Sequence, residues 1–201
     1  MNFDALIIGG GVAGMQCALV LGSAKGKSFT ENKNIGIIMH QRASHLQNAL
    51  FNNVLGLKPG TLGADILSEG KEQLSQLYPE IHQIEKEKVT TIIENESGFD
   101  IVTNKKMYKS KIVVIALNYA APFLIKGIDE YVISHQRANP AKNRIQLKNN
   151  NHFIKEGLYV CGTIAGYRSQ FAIAAGSGAS VATDVLTLWN NNNPVKVHDK
   201  V

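Results

Sequence analysis

What this sequence has little of narrows it quickly. Cysteine occurs only at positions 17 and 161 of 201 residues, with no C-x-x-C pair. That excludes a disulfide framework and a redox dithiol. Each of the two cysteines sits in an apolar run and reads as a small core hydrophobe. The six histidines are dispersed without the spacing of metal ligands, so no metal site is expected. No stretch reaches the roughly 18 uninterrupted apolar residues of a membrane span. The apolar N-terminus does not read as a secretory signal, because Asp4 stands where a positive charge belongs and glycines interrupt the run. Nor is there a block of one charge. The 21 basic and 16 acidic residues leave a scattered +5, densest at Lys105, Lys106, Lys109 and Lys111. That pattern reads as a solvated surface, not a nucleic-acid face. A cytoplasmic protein bound to neither membrane nor nucleic acid is the expectation, and 44% hydrophobic residues suffice for an ordinary core.

Glycine is plentiful and carries the first motif. "DALIIGGGVAGMQCALVLG" (4–22) is a continuous apolar strand candidate, then Gly9, Gly11 and Gly14, then an apolar helix over 12–24. Strand, G-x-G-x-x-G and helix in that order form the loop that grips a dinucleotide pyrophosphate. Gly9 permits the tight turn, and Gly11 lets the backbone touch the phosphates. Gly14 lets the helix pack on the sheet, and the free N–H groups near Val12 and Ala13 then face the anion. The plainer reading is a glycine turn that only packs strand on helix. The second strand, "IGIIM" (35–39), should end in an acid that holds a ribose, but Met39, His40, Gln41 and Arg42 stand there.

The remaining elements follow from periodicity. A helix is expected over 62–79, closed by Pro79 and weakened by Gly70. Strands are expected within 81–95, at 99–103 joined by the turn 96–98, at 111–117, at 130–134 and 144–148, and at 158–162. A polar connection is expected over 149–157 and a small-residue helix over 168–189. These make an α/β fold: a Rossmann-like domain over 1–190 with a parallel central sheet, strand 5–9 central, and a small antiparallel element. Residues 191–201 read as a tail.

A second signal lies at the far end, in "GLYVCGTIAG" (157–166) and "SQFAIAAGSGASVA" (169–182). With the glycine loop, it resembles the FAD-binding domain of the pyridine nucleotide–disulfide oxidoreductases, closest to thioredoxin-reductase-like flavoproteins. The resemblance covers most of residues 3–190. It implies that the glycine loop binds the FAD pyrophosphate. It also implies that backbone N–H groups near Gln170 and Phe171 meet the pyrimidine end of the flavin, while Tyr119 and Phe123 either wall the ring or pack in the core. Ala116, Leu117 and Asn118 stand in place of the family's "ATG", and Gly162 and Thr163 in place of its "GD", whose acid holds the ribityl chain. Only about forty residues separate 118 from 157, against the order of a hundred that a nicotinamide-binding domain needs. The chain looks like the flavin domain alone. Three functions remain open: an FAD oxidoreductase fed by NAD(P)H or an electron-donor protein, a non-catalytic flavin or nucleotide-binding module, and an NADP-binding oxidoreductase. A second copy of the chain is a further expected partner.

Overall fold

A computed structural model describes residues 1–40 and 45–198. The chain opens with β1 (Asn2–Ile8), α1 (Val12–Ser23) and β2 (Ile35–Met39), followed by the short hairpin β3 (Leu50–Phe51) and β4 (Thr61–Leu62). Next come α2 (Gly63–Leu77), β5 (His82–Glu85), β6 (Val89–Asn95), β7 (Gly98–Thr103) and β8 (Met107–Ile115). The remainder comprises β9 (Val132–Ser134), β10 (Ile145–Leu147), β11 (Phe153–Lys155), β12 (Leu158–Val160) and α3 (Phe171–Trp189).

The main sheet runs β11-β12-β8-β1-β2-β5. Within it β5, β2, β1, β8 and β12 are mutually parallel, and β1 lies between β2 and β8. Such strands must be apolar on both sides, which is why "ALII" does not alternate. Ala5 and Ile7 face the helices, together with Ile37 of β2 and Val114 of β8. Leu6 and Ile8 face the opposite layer with Ile38, Val113 and Ile115. That layer is built on the antiparallel meander of β6, β7 and β8. β8 therefore serves twice, pairing with β7 through its first half and with β12 through its last three residues.

Small residues set the helix layer. A Cβ added at Gly178 of α3 would lie 2.0 Å from the Ala13 carbonyl oxygen of α1, so the two helices touch through backbone. Gly70 does not interrupt α2. It lies on the buried face with Leu67 and Leu74, where an added Cβ would sit 3.3 Å from Met15. α3 is long and apolar enough to cross a membrane by length and composition alone. Its Val181, Ala182, Val185 and Leu186 are fully buried in the helix-side core.

The structure departs from the expected elements at short range. β8 starts at Met107, four residues before the expected 111, because its first half is stabilised by β7. The stretch 149–157 contains β11, which pairs antiparallel with β12. α3 begins at Phe171, after a 3-10 turn at Gly162–Ala165 and a short loop. The hairpin β3–β4 has no expected counterpart. Strands of two or three residues carry too little alternation to be seen before their partners are known.

Candidate functional site

Ladder bonds bring three strand ends to one level. The Gly9 N–H donates to the Ile38 carbonyl, Ala116 to Ile8, and Cys161 to Ile115, each at 2.9 Å. The loops leaving β1, β8 and β12 therefore open side by side at the carboxyl edge of the parallel sheet, where ligands of open α/β folds bind. They line a cleft of about 410 Å³ with His40, strand β3 and the start of α3. That volume is within the roughly 300–1,000 Å³ usual for ligand pockets.

The glycines divide their work. Gly9 has φ +121°, and a Cβ there would fall 2.3 Å from the Ala116 carbonyl oxygen. Gly14 closes the turn from below, its place for a Cβ only 1.9 Å from the Gly9 carbonyl oxygen. At Gly11 a Cβ would meet nothing within 4 Å, so that position faces open cleft. Gly11 is also the N-cap of α1, with no side-chain cap and no acid in the first turn. The positive end of a twelve-residue helix is thereby left for a ligand.

Of the residues expected at the site, Gly9, Gly11, Val12, Ala13 and His40 line the cleft, as do Ala116, Leu117 and Asn118. Gly162, Thr163, Gln170 and Phe171 complete it. Gly14 backs the loop. Met39 does not reach the cleft: it is buried beneath Gly10, where a Cβ would lie 2.5 Å from its Cγ. Gln41 and Arg42 lie outside the described residues. Gln170 acts as the N-cap of α3, its Oε1 accepting from the Ala172 N–H at 3.2 Å. Its own N–H donates to the Arg168 carbonyl. Tyr119 is a cleft residue, whereas Phe123 packs against the meander-side core.

Sequence reasoning missed the wall made by Leu46, Ala49, Leu50, Phe51 and Asn53, together with Ser169 and Ala174. Phe51 meets Phe171 edge to face, ring centroids 5.1 Å apart. The one available signal was the apolar content of 46–51 in an otherwise polar loop.

Two features of the site are chemical. Among the described residues no carboxylate lines the cleft, and the polar side chains there are His40, Asn53, Asn118, Tyr119, Thr163, Ser169 and Gln170. The thiols are withdrawn from it, since Cys17 and Cys161 are free and fully buried on the helix side. Burial pushes the Cys161 thiol up to about 12 and raises Cys17 well above its ordinary value. Among the described residues, no group of three His, Cys, Asp or Glu could hold a metal ion.

No curated protein sequence matches the chain. Solved structures share its fold. An oxidoreductase from Agrobacterium tumefaciens is 15% identical with a TM-score of 0.69, over 94% of this chain and 99% of its own. A ferredoxin-flavin thioredoxin reductase from Clostridium acetobutylicum is 18% identical with a TM-score of 0.69, over 94% and 99%. A thioredoxin reductase from Gloeobacter violaceus is 12% identical with a TM-score of 0.74, over 100% and 99%. Residues 3–182, which include the glycine loop lining the cleft, match the family described as pyridine nucleotide-disulphide oxidoreductase, and the chain belongs to that family.

Proposed function

We propose that residues 1–190 act as one FAD-binding domain and that the protein is a flavoprotein oxidoreductase supplied by NAD(P)H or by an electron-donor protein. One observation carries the reading: the uncapped α1 N-terminus, with open space at Gly11, faces a cleft continuous with Gly162 and the start of α3. Backbone N–H groups of Gly11, Val12 and Ala13 would hold the pyrophosphate against the helix dipole. Thr163, Asn118 and Tyr119 would lie along the rest of the cofactor, and Phe51 with Phe171 would exclude water on one side. The flavin, when bound, supplies reversible hydride and one-electron transfer. The family supports FAD as the ligand, and a protein donor fits the printed name of the ferredoxin-flavin relative.

On this reading the described residues of the cleft hold the ligand without acids. Each ribose or ribityl carboxylate replaced here would have supplied a charge-assisted hydrogen bond of roughly 1.5–3 kcal/mol. Neutral donors and acceptors such as Thr163 take those places. The same feature favours a second reading, an NADP-binding oxidoreductase. With exposed His40 after β2 and no acid among the described residues of the cleft, none of those residues repels a ribose phosphate.

The absorbance spectrum of the purified protein tests both. Flavin bands, with FAD released on denaturation, are the expected result. A colourless protein that refuses FAD and binds NADP would replace the first reading by the second.

A further inference from the structure

Two histidines outside the cleft hold one of its walls. The wall is the Gly162–Thr163 pair that follows β12, with Gly162 at φ +75°. On one side the Gly162 N–H donates to Oγ of Ser177 in α3 at 2.8 Å, and that oxygen lies 2.9 Å from Nε2 of His152. On the other side the Thr163 carbonyl oxygen lies 3.1 Å from Nε2 of His135. The Arg137 N–H donates to Nδ1 of His135 at 3.1 Å. Both imidazoles are buried, 3% exposed for His152 and 7% for His135.

These contacts dictate where the protons sit. The Ser177 oxygen accepts from Gly162, and among the described residues its hydroxyl proton has no acceptor within hydrogen-bond reach other than His152 Nε2, so the proton goes there. His152 is then neutral with its own proton on Nδ1, an atom without a hydrogen-bond partner among the described residues. In His135 the bare nitrogen is Nδ1, and Nε2–H donates to Thr163. The two rings are opposite tautomers.

Each ring is also held by a tyrosine that carries an arginine. His152 stacks on Tyr167, 5.1 Å between centroids and 17° between planes, with the Arg137 guanidinium 5.6 Å over that tyrosine. His135 meets Tyr119 at 5.3 Å, with Arg144 4.9 Å over it. His152 has φ +75°, a left-handed backbone that a non-glycine residue keeps only when its surroundings enforce it. The Asn149 side chain does part of that, accepting from the His152 N–H at 3.0 Å.

We propose that His135 and His152 are positioning residues, gripping Gly162 and Thr163 from two sides as opposite neutral tautomers and so fixing the cleft wall a cofactor meets. A second proton would break the grip at His152. On His152 it must go on Nε2, where it takes from the Ser177 hydroxyl proton its one acceptor among the described residues. Burial disfavours the charged form of His152, while Asp184 of α3 and the Asn151 backbone favour it. Tyr167 and Arg137 are the other ionisable groups stacked on that side, and Tyr119 and Arg144 on the side of His135. As a statement about cofactor binding, the proposal rests on the flavin reading above.

Nitrogen NMR of the histidines, on protein with and without added FAD at pH 8, reads the tautomers directly. The expected result is Nδ1–H for His152 and Nε2–H for His135. Equal tautomers, or the averaged signals of exposed imidazoles, overturn the proposal. Two variants then read the consequence. His152→Gln keeps an amide acceptor for Ser177, whereas His152→Phe keeps the stack on Tyr167 alone. At pH 8 the Phe variant should bind FAD about tenfold more weakly, and the Gln variant should stay near the parent. The parent should weaken as the pH falls to 5, and the Gln variant should not. Equal affinity in all three proteins overturns the proposal, and so does a parent affinity that does not change with pH. If the Phe variant fails to fold, the tautomers and the Gln pH profile decide. A protein that takes no flavin at all defeats the functional reading, while the tautomers still decide the grip.

Discussion

Gly11 and Gly178 show how differently one residue type is used. A side chain at Gly11 meets no protein atom, and its φ of −79° suits any residue. Gly11→Val should therefore cost the fold no more than about 1 kcal/mol, the loss of a tolerable N-cap, yet abolish FAD retention by filling the phosphate space. Gly178→Ala should do the reverse, since its Cβ collides with the Ala13 carbonyl where α1 and α3 touch. Overpacking of that kind costs about 1–3 kcal/mol or more, visible as a lowered urea midpoint. Retention of full FAD affinity by folded Gly11→Val would show that the loop only packs. His152 sets a pH dependence. Burial holds its ring below the ordinary 6.5, so the unfolded chain takes the proton first as the pH falls. Stability is complete above about 6.5 and declines below it until the folded ring is also protonated. His152→Gln should flatten that decline between pH 8 and 5, measured as urea midpoints.

Elements rather than single residues decide what the thiols can do. Cys17 lies inside α1 and Cys161 immediately after β12, both in the core between sheet and helices. With thiol values raised by burial, neither supplies thiolate near neutral pH. A thiol reagent should leave the folded protein untouched at pH 8 and label two sites after unfolding in urea. Rapid labelling of the native chain would refute the packing described. Strand β3 walls the cleft, because Phe51 closes it against Phe171 at the head of α3.

On the scale of the whole molecule, the decisive feature is the chain between β8 and β12. It forms β9 paired antiparallel with β10 and then the edge strand β11. It closes on the cleft rim where the Ile145 N–H donates to the Tyr119 carbonyl at 3.0 Å. No parallel β-α-β unit that could take a second nucleotide is formed there. On the proposed reading, NAD(P)H as donor would reach the cleft from solution. Anaerobic mixing of the FAD-loaded protein with NADH or NADPH should bleach the flavin bands faster than free flavin is bleached. Bleaching by a chemical reductant alone would leave a partner-fed flavoprotein or a binding module. Under either outcome the loaded protein should fail to reduce protein disulfides, because its thiols are buried apart from the cleft.

Long elements and the glycine loop were legible in the residue order because their signals are local. "IGIIM" makes β2 at the expected bounds, and the loop needs only a strand before it and a helix after it. The place of the loop leaving β12 was also legible, through likeness to a family pattern. Partnership was not. Nothing local marks Phe51 as a cleft wall, because its role exists only when α3 arrives 120 residues later. Nothing local turns Met39 inward either; it lies beneath Gly10 because β2 pairs with β1 in one register. The grip on Gly162 and Thr163 joins residues 135, 152, 162, 163 and 177. Hydrogen bonds between residues so far apart in the chain depend on the packing of α3 and the β9–β10 segment around β12, which only the tertiary structure decides.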